Sequence, residues 1–161
     1  MQHPLVLWLE DDDKLREEMM KQAMRELRNV RLQFFSASAG FWRGLRTLVP
    51  KAVVIDVMLP QVDGVRRLSE GVMLAKWIRD GCIPDRYVKS LGLENQEASL
   101  TADFSKLSII FLTGRSEYLL RRELGKLTMD HYLIIEKAAN EESSGVDEVF
   151  EYLRQRRKEW V

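Results

Sequence analysis

The chain has 161 residues, 45% hydrophobic and 31% charged, which suits one globular domain burying roughly 70% of its unfolded surface and excludes a disordered tail. Lys and Arg number 25 and so do Asp and Glu, so no bulk positive charge would hold it on nucleic acid. With Cys82 the one cysteine and only His3 and His131 as histidines, an intramolecular disulfide and a cysteine zinc cage are excluded, and a histidine-rich metal site is disfavoured.

The apolar runs, such as Ile109 to Leu112, are too short to span a bilayer. The N-terminus reaches an acidic run at Glu10 with no signal-peptide pattern before it. The reading is a cytoplasmic domain with no membrane contact and no direct nucleic-acid contact.

Along the chain, short apolar runs alternate with helical patterns. The runs are Leu5 to Leu9, Leu32 to Phe35, Ala52 to Ile55, Leu107 to Leu112 and Tyr132 to Ile135. Their length and near-continuous apolarity predict strands buried on both faces. Between them Leu15, Met19, Ala23 and Leu27 recur every four residues, and Phe41, Leu45 and Leu48 follow the i, i+4, i+7 pattern. Leu74, Trp77 and Ile78 form a third stripe, Leu120, Leu124 and Leu127 a fourth, and Val146, Val149, Phe150 and Leu153 a fifth. Strands alternating with helices predict an α/β fold, a parallel sheet covered on both faces with right-handed crossovers.

Two stretches break the rhythm. Cys82 to Ser105 has no clear period and is too long for a simple connector. Its scattered Ile83, Tyr87, Val88, Leu91, Leu93, Leu100 and Phe104 are too apolar for a free linker, so it is expected to pack over the domain edge and partly shield the fourth strand. Pro84 to Leu91, with Gly92 after it, reads as a short helix with a glycine stop. The second stretch, Gln61 to Glu70, reads as an enlarged loop before a helix that starts near Gly71. Trp8 and Trp77 are assigned to the core, whereas Trp42 and Trp160 are candidates for exposure. Cys82 is read as inert, and the basic end Arg154, Arg156, Arg157 and Lys158 as a complement to a helix C-terminus.

Ligands of open parallel sheets sit beyond the carboxyl ends of the strands. Strand one ends in Glu10-Asp11-Asp12-Asp13, strand three in Asp56, strand four in Thr113 and strand five in Glu136-Lys137. Singly, each has a plain alternative as a helix cap, a turn residue or a solvated strand end. Together they are the parts of one reaction. Carboxylates about 4 Å apart repel by roughly 4 kcal/mol per pair at an effective dielectric near 20, and a divalent cation that prefers oxygen ligands would offset this. A carboxylate beside such an ion can attack a phosphoryl group and form an acyl phosphate.

These residues resemble response-regulator receiver domains. Leu5-Val6-Leu7-Trp8-Leu9-Glu10-Asp11-Asp12 is similar to the opening strand and acidic pair of that family, and Ala52-Val53-Val54-Ile55-Asp56-Val57-Met58-Leu59-Pro60 to its phosphoacceptor motif. Gln61-Val62-Asp63-Gly64 resembles the turn after the proline, and Ile109-Ile110-Phe111-Leu112-Thr113-Gly114 the fourth strand with its hydroxyl residue. Lys137, at the end of strand five, completes the set.

The resemblance implies a doubly wound, flavodoxin-like five-stranded sheet in the order 2-1-3-4-5, one receiver domain over residues 1–161, with an insertion at about 82–105 between helix three and strand four. It implies that Asp56 is phosphorylated by a histidine kinase or phosphotransfer protein. Mg2+ would be held by Glu10, Asp11, Asp56 and the backbone carbonyl of Met58, while Thr113 and Lys137 contact the phosphoryl oxygens. Asp12 or Asp13 would cap helix one. The output would be a conformational change read by a downstream partner or by a second copy of the chain. Such a chain is a signalling domain and not an enzyme in the ordinary sense, since it catalyses only its own phosphorylation and dephosphorylation.

Two departures stand out. Ala138 follows Lys137 where the family usually has proline, so a trans bond and a reshaped loop are expected there. Ile134 occupies the position of the family's aromatic switch, with Tyr132 two residues earlier on the same strand face. A receiver-like interaction module that is never phosphorylated is the alternative reading. A phosphatase of the haloacid-dehalogenase type needs a second acid where Met58 stands.

Overall fold

In the computed structural model, residues 3–57, 70–114, 116–136 and 145–160 are described. Five strands, β1 (Leu5–Leu9), β2 (Arg31–Phe35), β3 (Ala52–Asp56), β4 (Ser108–Thr113) and β5 (Tyr132–Glu136), form one parallel sheet in the order β2-β1-β3-β4-β5. The helices are α1 (Asp13–Glu26), α2 (Ser38–Thr47), α3 (Glu70–Asp80), the short α4 (Asp85–Val88), α5 (Glu117–Lys126) and α6 (Val146–Arg156). This is the doubly wound order that the sequence resemblance implies. The predicted strands are all present, β2 starting one residue earlier and β4 one residue later than the apolar runs.

Alternation along each strand sorts its side chains between two layers. Leu7, Leu9, Val53, Ile55, Ile109 and Phe111 face a core closed by α2, α3 and α5, through residues such as Phe41, Leu45, Leu74, Ile78 and Leu120. Val6, Trp8, Val54, Ile110 and Leu112 face the opposite core, closed by α1 and α6 through Met19, Ala23, Val149, Phe150 and Leu153. A residue such as Phe111 or Leu112, with no surface left exposed, contributes about 1.5–3 kcal/mol by burial. Trp8 sits between the rings of Phe34, stacked at 5.5 Å, and Phe150, edge-on at 6.0 Å.

The stretch between α3 and β4 packs, as its apolar residues require. Ile83, Val88, Leu93, Ala98 and Phe104 join the core of the α2–α3 face, and the Trp77 and Tyr87 rings lie 5.1 Å apart. Its two arms are tied by Ile83 N–H to the Ala98 carbonyl and Leu100 N–H to the Gly81 carbonyl, both at 2.8 Å. Its side-chain ties run to the helices of that face rather than to the fourth strand. From α2, Arg43 pairs with Glu97 at 2.7 Å, and Arg46 donates to the carbonyls of Gln96 (3.0 Å) and Ser99 (3.2 Å). The helix predicted from Pro84 forms over Asp85–Val88, and Gly92 takes the left-handed conformation, φ 77°, that ends it.

This packing corrects one expectation. Trp42 is fully buried, and its indole N–H donates to the Glu97 carbonyl at 2.7 Å. The segment that covers it lies 55 residues further along the chain. Trp160 is half-buried against the α1–α6 core. Cys82 is an exposed free thiol beyond α3. Most of the stretch expected as an enlarged loop, Gln61 to Ser69, lies outside the described residues, and α3 begins at Glu70.

Candidate functional site

The acidic run after β1 divides its work residue by residue. Asp12 is the N-cap of α1, its Oδ1 accepting from Leu15 N–H at 2.9 Å. Asp13 lies in the first turn and pairs with Arg16. That leaves Glu10 and Asp11 at the sheet edge. Glu10 is 1% exposed. Its N–H donates to the Phe35 carbonyl at 2.9 Å, which extends the β1–β2 ladder, and its Oε1 accepts from Asp12 N–H at 3.1 Å. Arg16 Nη1 donates to its carbonyl at 3.0 Å, closing the turn from behind. Asp11 is exposed.

Asp56 is the last residue of β3 and is 2% exposed. It pairs with Leu112 in β4, and Val57 N–H continues the ladder to the Leu112 carbonyl at 3.2 Å. Thr113, one residue past that partner, is fully buried and pairs with Glu136 in β5. The Glu136 carboxylate accepts from Glu117 N–H at the start of α5, so the ends of β4 and β5 are linked through that helix.

Glu10, Asp11 and Asp56 converge. One carboxylate oxygen from each lies within 4.8 Å of the others. Two of the three are buried, where like charges are costly to hold together. The donor set is all oxygen, which fits a hard divalent cation such as Mg2+ and not a thiolate- or imidazole-seeking metal. Met58 and Lys137 lie outside the described residues.

Sequence reasoning missed two neighbours of this cluster. Gly71, in the first turn of α3, is in close contact with the end of β3: a Cβ there would stand 2.7 Å from the Asp56 carbonyl oxygen and 3.3 Å from Val57 Cα. Glu70 before it is half-buried and accepts a hydrogen bond from Ser38. Burial pushes the Glu70 carboxyl above its ordinary value, the Ser38 bond draws it back, and the charge of Asp11 pushes it up again. An acid in a first turn reads locally as complementing the helix dipole, so only the tertiary contact distinguishes it. The most voluminous open groove, about 440 Å³, lies between α1 and β2 beside Met20, Met24, Arg28 and Phe34, away from these acids.

No family model and no curated protein matches the sequence. Solved structures do match the fold. The receiver domain of the Francisella response regulator 1452 aligns over 99% of this chain and 100% of its own, with 19% identity and a TM-score of 0.59. The CheY-like response regulator receiver domain protein from Methanospirillum hungatei JF-1 aligns over 98% and 96%, with 14% identity and a TM-score of 0.58. The beryllofluoride-activated NtrC receiver domain aligns over 100% and 99%, with 15% identity and a TM-score of 0.59. At these identities the likeness speaks for the backbone arrangement. With its sheet order, its two helical layers and its full-length alignment to all three, this chain has the fold of the response-regulator receiver domains.

Proposed function

We propose that this chain is a phosphoacceptor receiver domain, with Asp56 as the acceptor and a histidine kinase or phosphotransfer protein as the donor. One observation carries the reading: at the carboxyl edge of a receiver-type sheet, Glu10, Asp11 and Asp56 bring their carboxylate oxygens within 4.8 Å of one another. In the reaction an Asp56 carboxylate oxygen attacks phosphorus, the donor's bond to phosphorus breaks with its electron pair leaving on the donor, and an acyl phosphate forms on Asp56. Glu10, Asp11, Asp56 and the backbone carbonyl of Met58 would hold Mg2+. The ion supplies charge neutralisation for the transferring phosphoryl oxygens. Thr113 would donate its hydroxyl hydrogen to one phosphoryl oxygen, and Lys137 would hold another by charge.

The same reading takes residues 1–161 as one receiver with 82–105 as an insertion, and gives the chain no turnover beyond its own phosphorylation and dephosphorylation. It also places the protein in the cytoplasm; among the described residues no helix is long and apolar enough to cross a membrane. Output would leave through α5, β5 and α6. Thr113 moving toward the phosphoryl group would repack Ile134, which is buried on β5. Tyr132 is held by the Phe111 ring at 6.0 Å and by the Arg121 guanidinium at 5.7 Å, which argues against a large ring swing. Tyr118 and Leu119 stand exposed on α5 as contacts for a downstream protein or a second copy.

The test is incubation with acetyl phosphate and Mg2+ followed by intact mass measurement. One added phosphoryl group, lost in Asp56→Asn, is expected. No mass gain in the wild-type chain, or unchanged labelling of the variant, would overturn the assignment and leave a receiver-fold interaction module.

A further inference from the structure

Glu70 is a fourth carboxylate beside the acidic cluster, and the way it is held bears on what the cluster can bind. It opens α3, while Ser38 opens α2 and is 7% exposed. Ala37, at the N-cap of α2, makes no side-chain cap. The neighbouring Ser38 hydroxyl instead bonds the Glu70 side chain, which ties the starts of two helices together across the sheet edge. On the other side, Gly71 lies so close to the Asp56 carbonyl that the backbone carrying Glu70 cannot recede from the end of β3. The charge of Asp11 reaches Glu70 directly. The carboxylate is therefore near the cluster, half-buried, and fixed from two directions.

A fixed negative charge in a partly dry setting acts in opposite directions on the two ions a phosphoacceptor site must admit. It attracts a divalent cation and repels an anionic phosphodonor. We infer that Glu70, oriented by Ser38, is a positioning residue that tightens the acidic cluster's hold on a divalent cation and slows small anionic phosphodonors. This rests on the phosphoacceptor reading above. The competing role is purely mechanical, a link between α2 and α3, for which charge is irrelevant.

Glu70→Gln separates the two, because the amide oxygen still accepts the Ser38 hydrogen bond while the charge is gone. Glu70→Asp restores the charge. Three quantities are read: the Mg2+ dissociation constant by tryptophan fluorescence, the gain in melting temperature from chelator to Mg2+, and the rate of acetyl phosphate labelling at saturating Mg2+. In Glu70→Gln the Mg2+ affinity should fall by about threefold or more, the melting temperature in chelator should rise, and labelling should speed up. Glu70→Asp should return affinity and rate toward the wild type. Wild-type affinity and rate in Glu70→Gln, in a preparation where the wild type binds Mg2+ and labels at Asp56, would leave Glu70 a mechanical link and overturn the inference alone. A wild-type chain that neither binds Mg2+ nor labels would overturn the phosphoacceptor reading, and this inference with it.

Discussion

A methyl group on Gly71 would stand 2.7 Å from the backbone oxygen of Asp56 and 3.0 Å from Ile55 Cγ2. The first turn of α3 therefore touches the strand end that presents the candidate acceptor. Elsewhere in a helix, replacing glycine with alanine gains about 1 kcal/mol. Here Gly71→Ala should cost about 1–3 kcal/mol through overpacking and slow the labelling of Asp56. Urea denaturation measures the first effect and intact mass kinetics the second.

Asp12 is a helix cap and not part of the carboxylate cluster. Asp12→Ala should destabilise the protein by about 1 kcal/mol and leave Mg2+ affinity at the wild-type value. Thermal melting with a parallel Mg2+ titration checks both. A lost cation site in this variant would move the acidic pair two residues along the chain.

Arg43 fixes the stretch between α3 and β4 by gripping Glu97, whose other oxygen accepts from Glu94 N–H at 2.9 Å. The Arg43 bond, followed by that backbone bond, draws the Glu97 carboxyl down from 4.5 to about 2. A carboxyl depressed in the folded state stabilises it above the unfolded pKa, and that contribution fades as pH falls from about 4.5 toward 2. Amide exchange at Ile83 and Leu100, corrected for intrinsic rates, should accelerate across that window. Glu97→Gln should raise exchange at neutral pH and flatten its acid dependence.

Arg79, near the end of α3, donates to three carbonyls: Phe104 at 2.9 Å, His131 at 2.8 Å and Asp130 at 3.4 Å. It joins the approaches to β4 and β5. His131 has φ 54°, a left-handed conformation that costs a side-chain-bearing residue roughly 1–2 kcal/mol. Burial lowers the Arg79 pKa, so the charge is held at some expense. Arg79→Ala should cost about 1–3 kcal/mol by stranding these acceptors, read as a lower melting temperature. Labelling at Asp56 should persist, because the bonds lie at the opposite end of the strands.

Several features follow from short windows of sequence. Leu5 to Leu9 and Ala52 to Ile55 read as strands because a strand buried on both faces is apolar without alternation. The stripes of α1 and α6 read as helices because one helical face repeats at 3.6 residues. Asp56 and the Glu10–Asp11 pair stood out because each directly follows such a run, and strand ends share one edge in a parallel sheet.

Other features depend on residues far apart in the chain. Trp42 is buried because Glu97 and its neighbours lie over it, and no periodicity within α2 signals that cover. The course of the stretch after α3 was set by Arg43 and Arg46, two surface-type residues whose pattern names no partner. Glu70 carried only a helix-start signal, and its place beside Asp11 and Ser38 required α2, α3 and β1 to meet. Local patterns record which face of an element is dry. Which side chains from different elements share that dry space is decided by close packing, where small steric facts such as the missing Cβ of Gly71 set the distances.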